Sequence, residues 1–227
     1  QVGQQTVLSL LKVGGSQKIK LLVRDENKAR QLFEKHEGST DALEYFTGDY
    51  QSNLNDKAFE NIERLFIVNH EPQYDNSIFR KAIEKSPSSF KQIVKLSAHG
   101  ASWDNDFGGF LRGHSESENE IYKLATERDI AFVFLRPTMF SQNFHVYDGP
   151  GIKAAGKLFR PGLPENDNLT LSYIDTRDIG EAVAVALTEP VEKTRNRTYV
   201  LTAPEVDTAQ EVVELFTRIV GKPVDIV

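Results

Sequence analysis

Cysteine is absent from all 227 residues, which excludes a disulfide framework and a thiol nucleophile and makes a reducing cytoplasm the simplest setting. No apolar run approaches the roughly 18 residues of a membrane-spanning helix. The first residues also lack the basic end and apolar core of a signal peptide. Nothing in these residues suggests secretion, so the sequons Asn168-Leu169-Thr170 and Asn196-Arg197-Thr198 are read as chance rather than as glycosylation sites. Positive charge is scarce: 27 lysines and arginines stand against 33 aspartates and glutamates, a formal net charge of −6. No basic face offsets that balance, so nucleic acid is not expected as a direct partner. The histidines show no H-x-x-x-H spacing, and no metal site is expected.

What is present is an ordinary globular composition, long enough for one α/β domain. Short apolar runs alternate with helical periodicity, the pattern of βαβ units and a parallel sheet. Strands are predicted over 19–23, 43–46, 65–68, 90–97, 130–136, 169–174 and 198–201. Helices are predicted over 2–11, 27–36, 53–63, 77–85, 114–128, 178–188 and 209–220. Asp178 and Thr208 stand where N-caps are wanted, and Glu211 has capping-box spacing from Thr208. The expected fold class is α/β, a Rossmann-type doubly wound parallel sheet forming one domain over 1–227. Residues 1–143 would serve mainly the cofactor, and 144–227 would include a small C-terminal substrate lobe.

The beginning departs from this pattern, because helix 2–11 has no strand before it. Gln1, Val2 and Gly3 look like the tail of a glycine-rich strand-to-helix turn, with Gly3 where helix and strand pack closely. The expectation is that a first strand and most of its phosphate loop lie outside the sequence. Arg24 follows strand 19–23 directly, about 20 residues beyond Gly3, where a Rossmann fold reads the ribose. An acidic residue there would accept from the 2′-hydroxyl of NAD. An arginine offers a fork to the 2′-phosphate of NADP, and Lys28 adds a second charge. Asp25 is the competing reading, since a small backbone shift would bring its carboxylate to the ribose. The expected cofactor is NADP(H), ahead of NAD(H). Asp49, between Gly48 and Tyr50, is placed to meet an adenine amino group or else simply begins the next turn. Asn69 and His70, after strand 65–68, would line the nicotinamide-ribose side.

Helix 114–128 carries His114 and Glu118 on one face, above Ile121, Tyr122 and Ala125, which call for burial. The polar pair is therefore expected to point inward at the carboxyl ends of a parallel sheet, where α/β proteins bind ligands. An ordinary histidine, with a pKa of about 6.5, can donate a proton. Glu118 would accept from the nicotinamide-ribose hydroxyls and keep His114 protonated. The alternative has His114 capping the helix or lining a loop. Ser97, Ala98 and Pro137 fall at strand ends and are expected against the cofactor. His99, Phe107, Phe140 and Asn143 are candidates to meet substrate. The aromatic ones, with Trp103, Phe110, Phe144 and Tyr147, offer stacking surface or else core packing. Gly108-Gly109 would let their loop move as a lid.

Together these segments resemble the NmrA-like branch of the atypical short-chain dehydrogenases. The resemblance rests on Gln1-Val2-Gly3, Val23-Arg24-Asp25 with Lys28-Ala29, Gly48-Asp49-Tyr50 and Lys95-Leu96-Ser97-Ala98. It continues through His114-Ser115-Glu116-Ser117-Glu118, Leu135-Arg136-Pro137 with Asn143, and Tyr173-Ile174-Asp175 with Arg177-Asp178-Ile179. It spans nearly the whole chain. Conventional short-chain dehydrogenases carry Tyr-x-x-x-Lys where this sequence has His114 and Glu118; the quinone reductases of the branch carry a similar His-x-x-x-Glu. The family also holds dye reductases and cofactor-binding regulators of transcription without evident catalysis. The resemblance thus implies NADPH-dependent hydride transfer to a quinone-like or other flat aromatic acceptor. Its alternative is a non-catalytic NADP(H) sensor that binds a regulatory protein partner; a homodimer suits either. Quinones need little help, because their electron-poor rings take hydride readily and their phenolate oxygens take protons from water.

Overall fold

Apolar runs of about the mean strand length become strands, and the amphipathic stretches between them become helices. The computed structural model describes residues 1–15, 17–69, 74–101, 109–158 and 170–226, with the backbone alone at Leu171. Helix α1 (Val2–Val13) leads into β1 (Ile19–Val23), α2 (Glu26–Phe33), α3 (Ser39–Ala42) and β2 (Leu43–Thr47). Next come β3 (Arg64–Ile67), α4 (Asp75–Lys85), β4 (Gln92–Leu96), α5 (Phe110–Arg128) and β5 (Ala131–Pro137). Shorter elements follow: β6 (Met139–Phe140), α6 (Gly149–Ala155), β7 (Lys157–Leu158), β8 (Thr170–Leu171) and β9 (Tyr173–Ile174). The chain then forms α7 (Thr176–Thr188), α8 (Val191–Thr194), β10 (Arg197–Leu201), β11 (Asp207–Thr208), α9 (Ala209–Val220) and β12 (Asp225–Ile226).

These elements make two compact units. The first comprises Gln1–Arg136 and Arg177–Val200, the second Pro137–Thr176 and Leu201–Val227. In the first unit β1 and β2 pair in parallel, from Ile19 opposite Leu43 to Val23 opposite Thr47. A four-stranded sheet in the order β10-β5-β4-β3 has β3, β4 and β5 parallel. All five residues of β4 are buried, as expected of a parallel strand covered on both faces. Ile93 of β4 packs with Phe79 and Ala82 of α4 and Ile121 and Ala125 of α5. The larger of these, Ile93, Phe79 and Ile121, each contribute about 1.5–3 kcal/mol by burial. On β1 and β2 the pleat sends Ile19, Leu21, Leu43 and Tyr45 toward Val7 of α1 and Phe33 of α2. Leu22 and Phe46, on the opposite face, join the cluster around Phe59 and Ile67. Helix α1 crosses α7 at Gly180, where a Cβ would stand 2.6 Å from the carbonyl carbon of Gln5. Only glycine permits that approach.

Several expectations change. Residues 53–63 make no α-helix, but an antiparallel bridge between Asp49 and Asn53 and a 3-10 turn over Asp56–Phe59. The Asn55 side chain accepts from Lys57 N at 3.2 Å and donates to Thr47 O at 3.0 Å. Such local bonds compete with a helix, and Asn61 at φ 56° leaves helical space. Helix α7 begins at Thr176, so Asp178 lies in its first turn rather than at its cap. The strand expected over 169–174 divides: β8 pairs antiparallel with β11, while β9 pairs parallel with β6. Tyr122 is 38% exposed and lies edge-on to Phe132, because the buried stripe runs through Ile121, Leu124 and Ala125. The capping box of Thr208 and Glu211 forms as the spacing requires.

The second unit has its own core of Ile152, Leu158, Tyr173, Val212 and Val224. Phe144 packs into it, with ring centroids 4.5 Å from Tyr173 and 5.0 Å from Phe216. Its place is thus core, not stacking surface.

Candidate functional site

The carboxyl ends of the strands in the first unit gather most of the polar residues singled out by the sequence. Gly3, in the first turn of α1, lies beside the end of β3, and a Cβ there would come within 3.3 Å of Val68 Cγ1. Val2 is buried and Gln1 exposed. Arg24 and Lys28 are exposed after β1 and in α2, and among the described residues no ion pair occupies either. Asp25 is the N-cap of α2, its Oδ1 accepting from Lys28 N at 3.0 Å. The carboxylate that competed for the ribose is therefore engaged in the helix cap, and two cations are left uncommitted. Asp49 Oδ1 accepts from Gln51 N at 2.8 Å, closing a turn. Tyr50 lies against Tyr74, at the start of α4, with ring centroids 5.5 Å apart. Asn69 is buried; His70 lies outside the described residues.

Beyond Ile93 the face of β4 that meets α4 and α5 turns polar, since Lys95 and Ser97 follow at the strand period of two. Lys95 and Asp75 are both fully buried and form an ion pair. Ser117 Oγ donates to Asp75 Oδ2 at 2.8 Å. Lys95 Nζ also lies 3.4 Å from His114 Nδ1 and 3.3 Å from Leu96 O. His114 is 2% exposed, and its Nε2 has no partner among the described residues; Ser97 Oγ and Asp75 Oδ1 are likewise buried without one there. Phe110, itself exposed, sits edge-on to the imidazole at 4.4 Å. Burial first, and the charge of Lys95 second, push the His114 pKa down to about 3.

Two sequence expectations are corrected here. His114 neither caps α5 nor lines a loop, because the helix starts one turn earlier, after Gly109 at φ 70°. Glu118 does not keep His114 protonated. Its carboxylate is matched by Arg136, whose Nε donates to Oε1 at 3.0 Å and whose Nη2 donates to Oε2. Both carboxylate oxygens are thus engaged by protein, and the ribose role assigned to Glu118 faces a competitor already in place.

Ala98 is half-buried, His99 exposed, and Pro137 buried at the end of β5. Phe140 and Asn143 belong to the second unit, both half-buried. Phe107, Trp103 and Gly108 fall outside the described residues. Lys95, Asp75 and Ser117 were missed as polar network residues. The available signal was Lys95 itself, a lone charge inside the apolar run Ile93-Val94-Lys95-Leu96.

A parallel sheet with polar residues gathered at its carboxyl ends is the Rossmann arrangement. Residues 114–227 match the family model described as the NmrA-like family, and the chain belongs to that family. It is 27% identical over 211 residues to an NAD(P)H azoreductase of Xenophilus azovorans, covering 90% of this chain and 66% of that protein. The chain thus spans slightly less than two thirds of that relative. Its fold is similar to the NADPH-dependent quinone oxidoreductase of Escherichia coli solved with NADPH, at a TM-score of 0.76 and 19% identity. That likeness covers 100% of this chain and 75% of the other. Triphenylmethane reductase of Citrobacter sp., solved with NADP(H), is similar at a TM-score of 0.74 and 19% identity, covering 99% and 74%.

Proposed function

We propose that this chain is an NADPH-dependent reductase acting on flat, electron-poor aromatic acceptors of the quinone or azo type. The carrying observation is His114, a neutral imidazole buried at the sheet's carboxyl end with Nε2 unpartnered. The azoreductase relative and the family membership support the same reading.

The residues present fit a 2′-phosphorylated dinucleotide: Arg24 and Lys28 are uncommitted, and the carboxylate that would repel the phosphate is turned into a helix cap. Arg24 and Lys28 would hold that phosphate, Gly3 would leave room near the α1 N-terminus, and Ser97 would offer its free hydroxyl. NADPH, when bound, supplies the hydride. The protein's part is to orient the acceptor and stabilise the charge that develops on it. A neutral His114 does this by hydrogen bonding, because its depressed pKa leaves no imidazolium to surrender a proton near neutrality. The proton that completes the product comes from water, which a phenolate-like oxygen accepts without an enzymic acid. That division suits quinones and leaves carbinol oxidation without its base.

The test is NADPH consumption across a panel of quinones, azo dyes, triarylmethane dyes and simple ketones, with His114→Ala alongside. Turnover of quinones or azo dyes that falls about 100-fold in the variant is expected for loss of an oxyanion-type donor. Tight NADPH binding with no turnover of any acceptor would overturn the reductase reading in favour of a cofactor sensor.

A further inference from the structure

A buried lysine–aspartate pair at this place needs a reason, since apolar residues of similar size would hold α4, α5 and β4 together at no desolvation cost. The pair's geometry supplies one. A lysine ammonium has three protons and no acceptor. Around Lys95 Nζ stand three acceptors: Asp75 Oδ2, Leu96 O at 3.3 Å and His114 Nδ1 at 3.4 Å. His114 Nδ1 must therefore present its lone pair to Lys95, and it carries no hydrogen. A neutral imidazole with a bare Nδ1 has its proton on Nε2, the atom that is buried and unpartnered.

We propose that Lys95 is a positioning residue that fixes the His114 tautomer, with Asp75 and Ser117 holding Lys95 in place. The proposal rests on the reading of His114 as the hydrogen-bond donor to the acceptor's developing negative charge. Asp75 anchors the ammonium, and Ser117 Oγ anchors Asp75 through the same oxygen, at 2.8 Å. The Nδ1–H tautomer would set an N–H against the ammonium, and a flipped ring would put its Cδ2–H there and forfeit the acceptor. The orphaned Nε2–H is what the substrate completes. A buried donor left unmet is unfavourable, and the loss is recovered when an acceptor oxygen or azo nitrogen arrives. Ser97 Oγ, two residues along the same strand face and equally unpartnered, lies on the same side of the sheet. Among the described residues the charged groups around the ring are Lys95 from β4 and Asp75 from α4, while Glu118 on the same helix is paired with Arg136 of β5.

The experiment is nitrogen-15 NMR of the His114 imidazole in the intact chain, assigned by its loss in His114→Gln. The proposal expects one neutral tautomer, protonated at Nε2, unchanged from pH 8 to pH 5. An Nδ1–H tautomer, an even mixture, or a titration near pH 6.5 in the wild type would overturn it, with no variant required. The second arm is Lys95→Met/Asp75→Asn, which removes both charges together so that neither is left buried alone. Here the single tautomer should give way to a mixture, and kcat should fall roughly tenfold or more, as for a mis-set donor, with KM for NADPH unchanged. A retained single tautomer in the double variant, or scrambling with undiminished kcat, would sink the role of Lys95. Should His114→Ala turn over normally while the wild-type tautomer is as expected, the reductase assignment of His114 fails and the Lys95–His114 coupling stands.

Discussion

Arg136, at the end of β5, grips the carboxylate of Glu118, on α5, through two parallel hydrogen bonds, one of them 3.0 Å from Nε to Oε1. Glu118 is fully buried and the Arg136 side chain 21% exposed. Removing the guanidinium alone strands a charge in the interior. Arg136→Ala should therefore cost about 3–5 kcal/mol, read as a lower urea midpoint at constant m-value. Pairing it with Glu118→Leu should recover most of that loss. A single variant within about 0.5 kcal/mol of wild type would show that the pair does not hold α5 to the sheet.

Cofactor discrimination should reside in Arg24. Loss of a charge-assisted contact worth about 1.5–3 kcal/mol corresponds to roughly 10- to 100-fold weaker NADPH binding in Arg24→Ala. NADH, which has no 2′-phosphate, should bind the variant as it binds wild type. Equal weakening of both nucleotides in a titration would remove the phosphate from Arg24.

Acid should destabilise the protein through His114. Its folded pKa of about 3 lies below the unfolded value of 6.5, so between those limits the unfolded chain binds the extra proton. Stability then rises with pH across that window and is lost as pH falls from 6.5 toward 3, with a slope of up to about 1.4 kcal/mol per unit. Above 6.5 the residue contributes no slope. Chemical denaturation at a series of pH values should show this limb in the wild type and a flatter one in His114→Gln; identical limbs would refute the assignment.

Gly180→Ala should be costly although alanine is the better helix former. The new methyl would stand 2.6 Å from the Gln5 backbone, and α1 and α7 would have to separate. Overpacking of this kind costs about 1–3 kcal/mol. A melting temperature equal to or above that of the wild type would mean the crossing yields freely.

Strands β4 and β5 were legible as short runs buried on both faces, and helix α5 by its buried stripe through Ile121, Leu124 and Ala125. The cap at Thr208 was legible because its partner Glu211 is only three residues away. The stretch 53–63 misled because helical spacing of apolar residues there coincides with asparagines that bond the backbone locally instead. Glu118 misled for a different reason. Its partner Arg136 lies across a helix-to-strand connection, and no periodicity reports what a side chain meets on a neighbouring element. Lys95 is the same case in stronger form: two of its acceptors, Asp75 and His114, lie on different helices, and only folding brings them to it. Asp25 lay between, readable as either a ribose contact or a helix cap until the backbone chose the cap.

The chain passes between its two compact units three times, at Arg136–Pro137, Thr176–Arg177 and Val200–Leu201. Neither unit is one continuous segment of polypeptide. A stop after β5 would leave the first unit without α7 and β10, and would remove the second altogether. Transplanting the second unit onto another member of the family therefore means replacing two segments at three junctions, not one cassette exchange. Recombination with a single crossover inside either unit's span would join mismatched parts of a core.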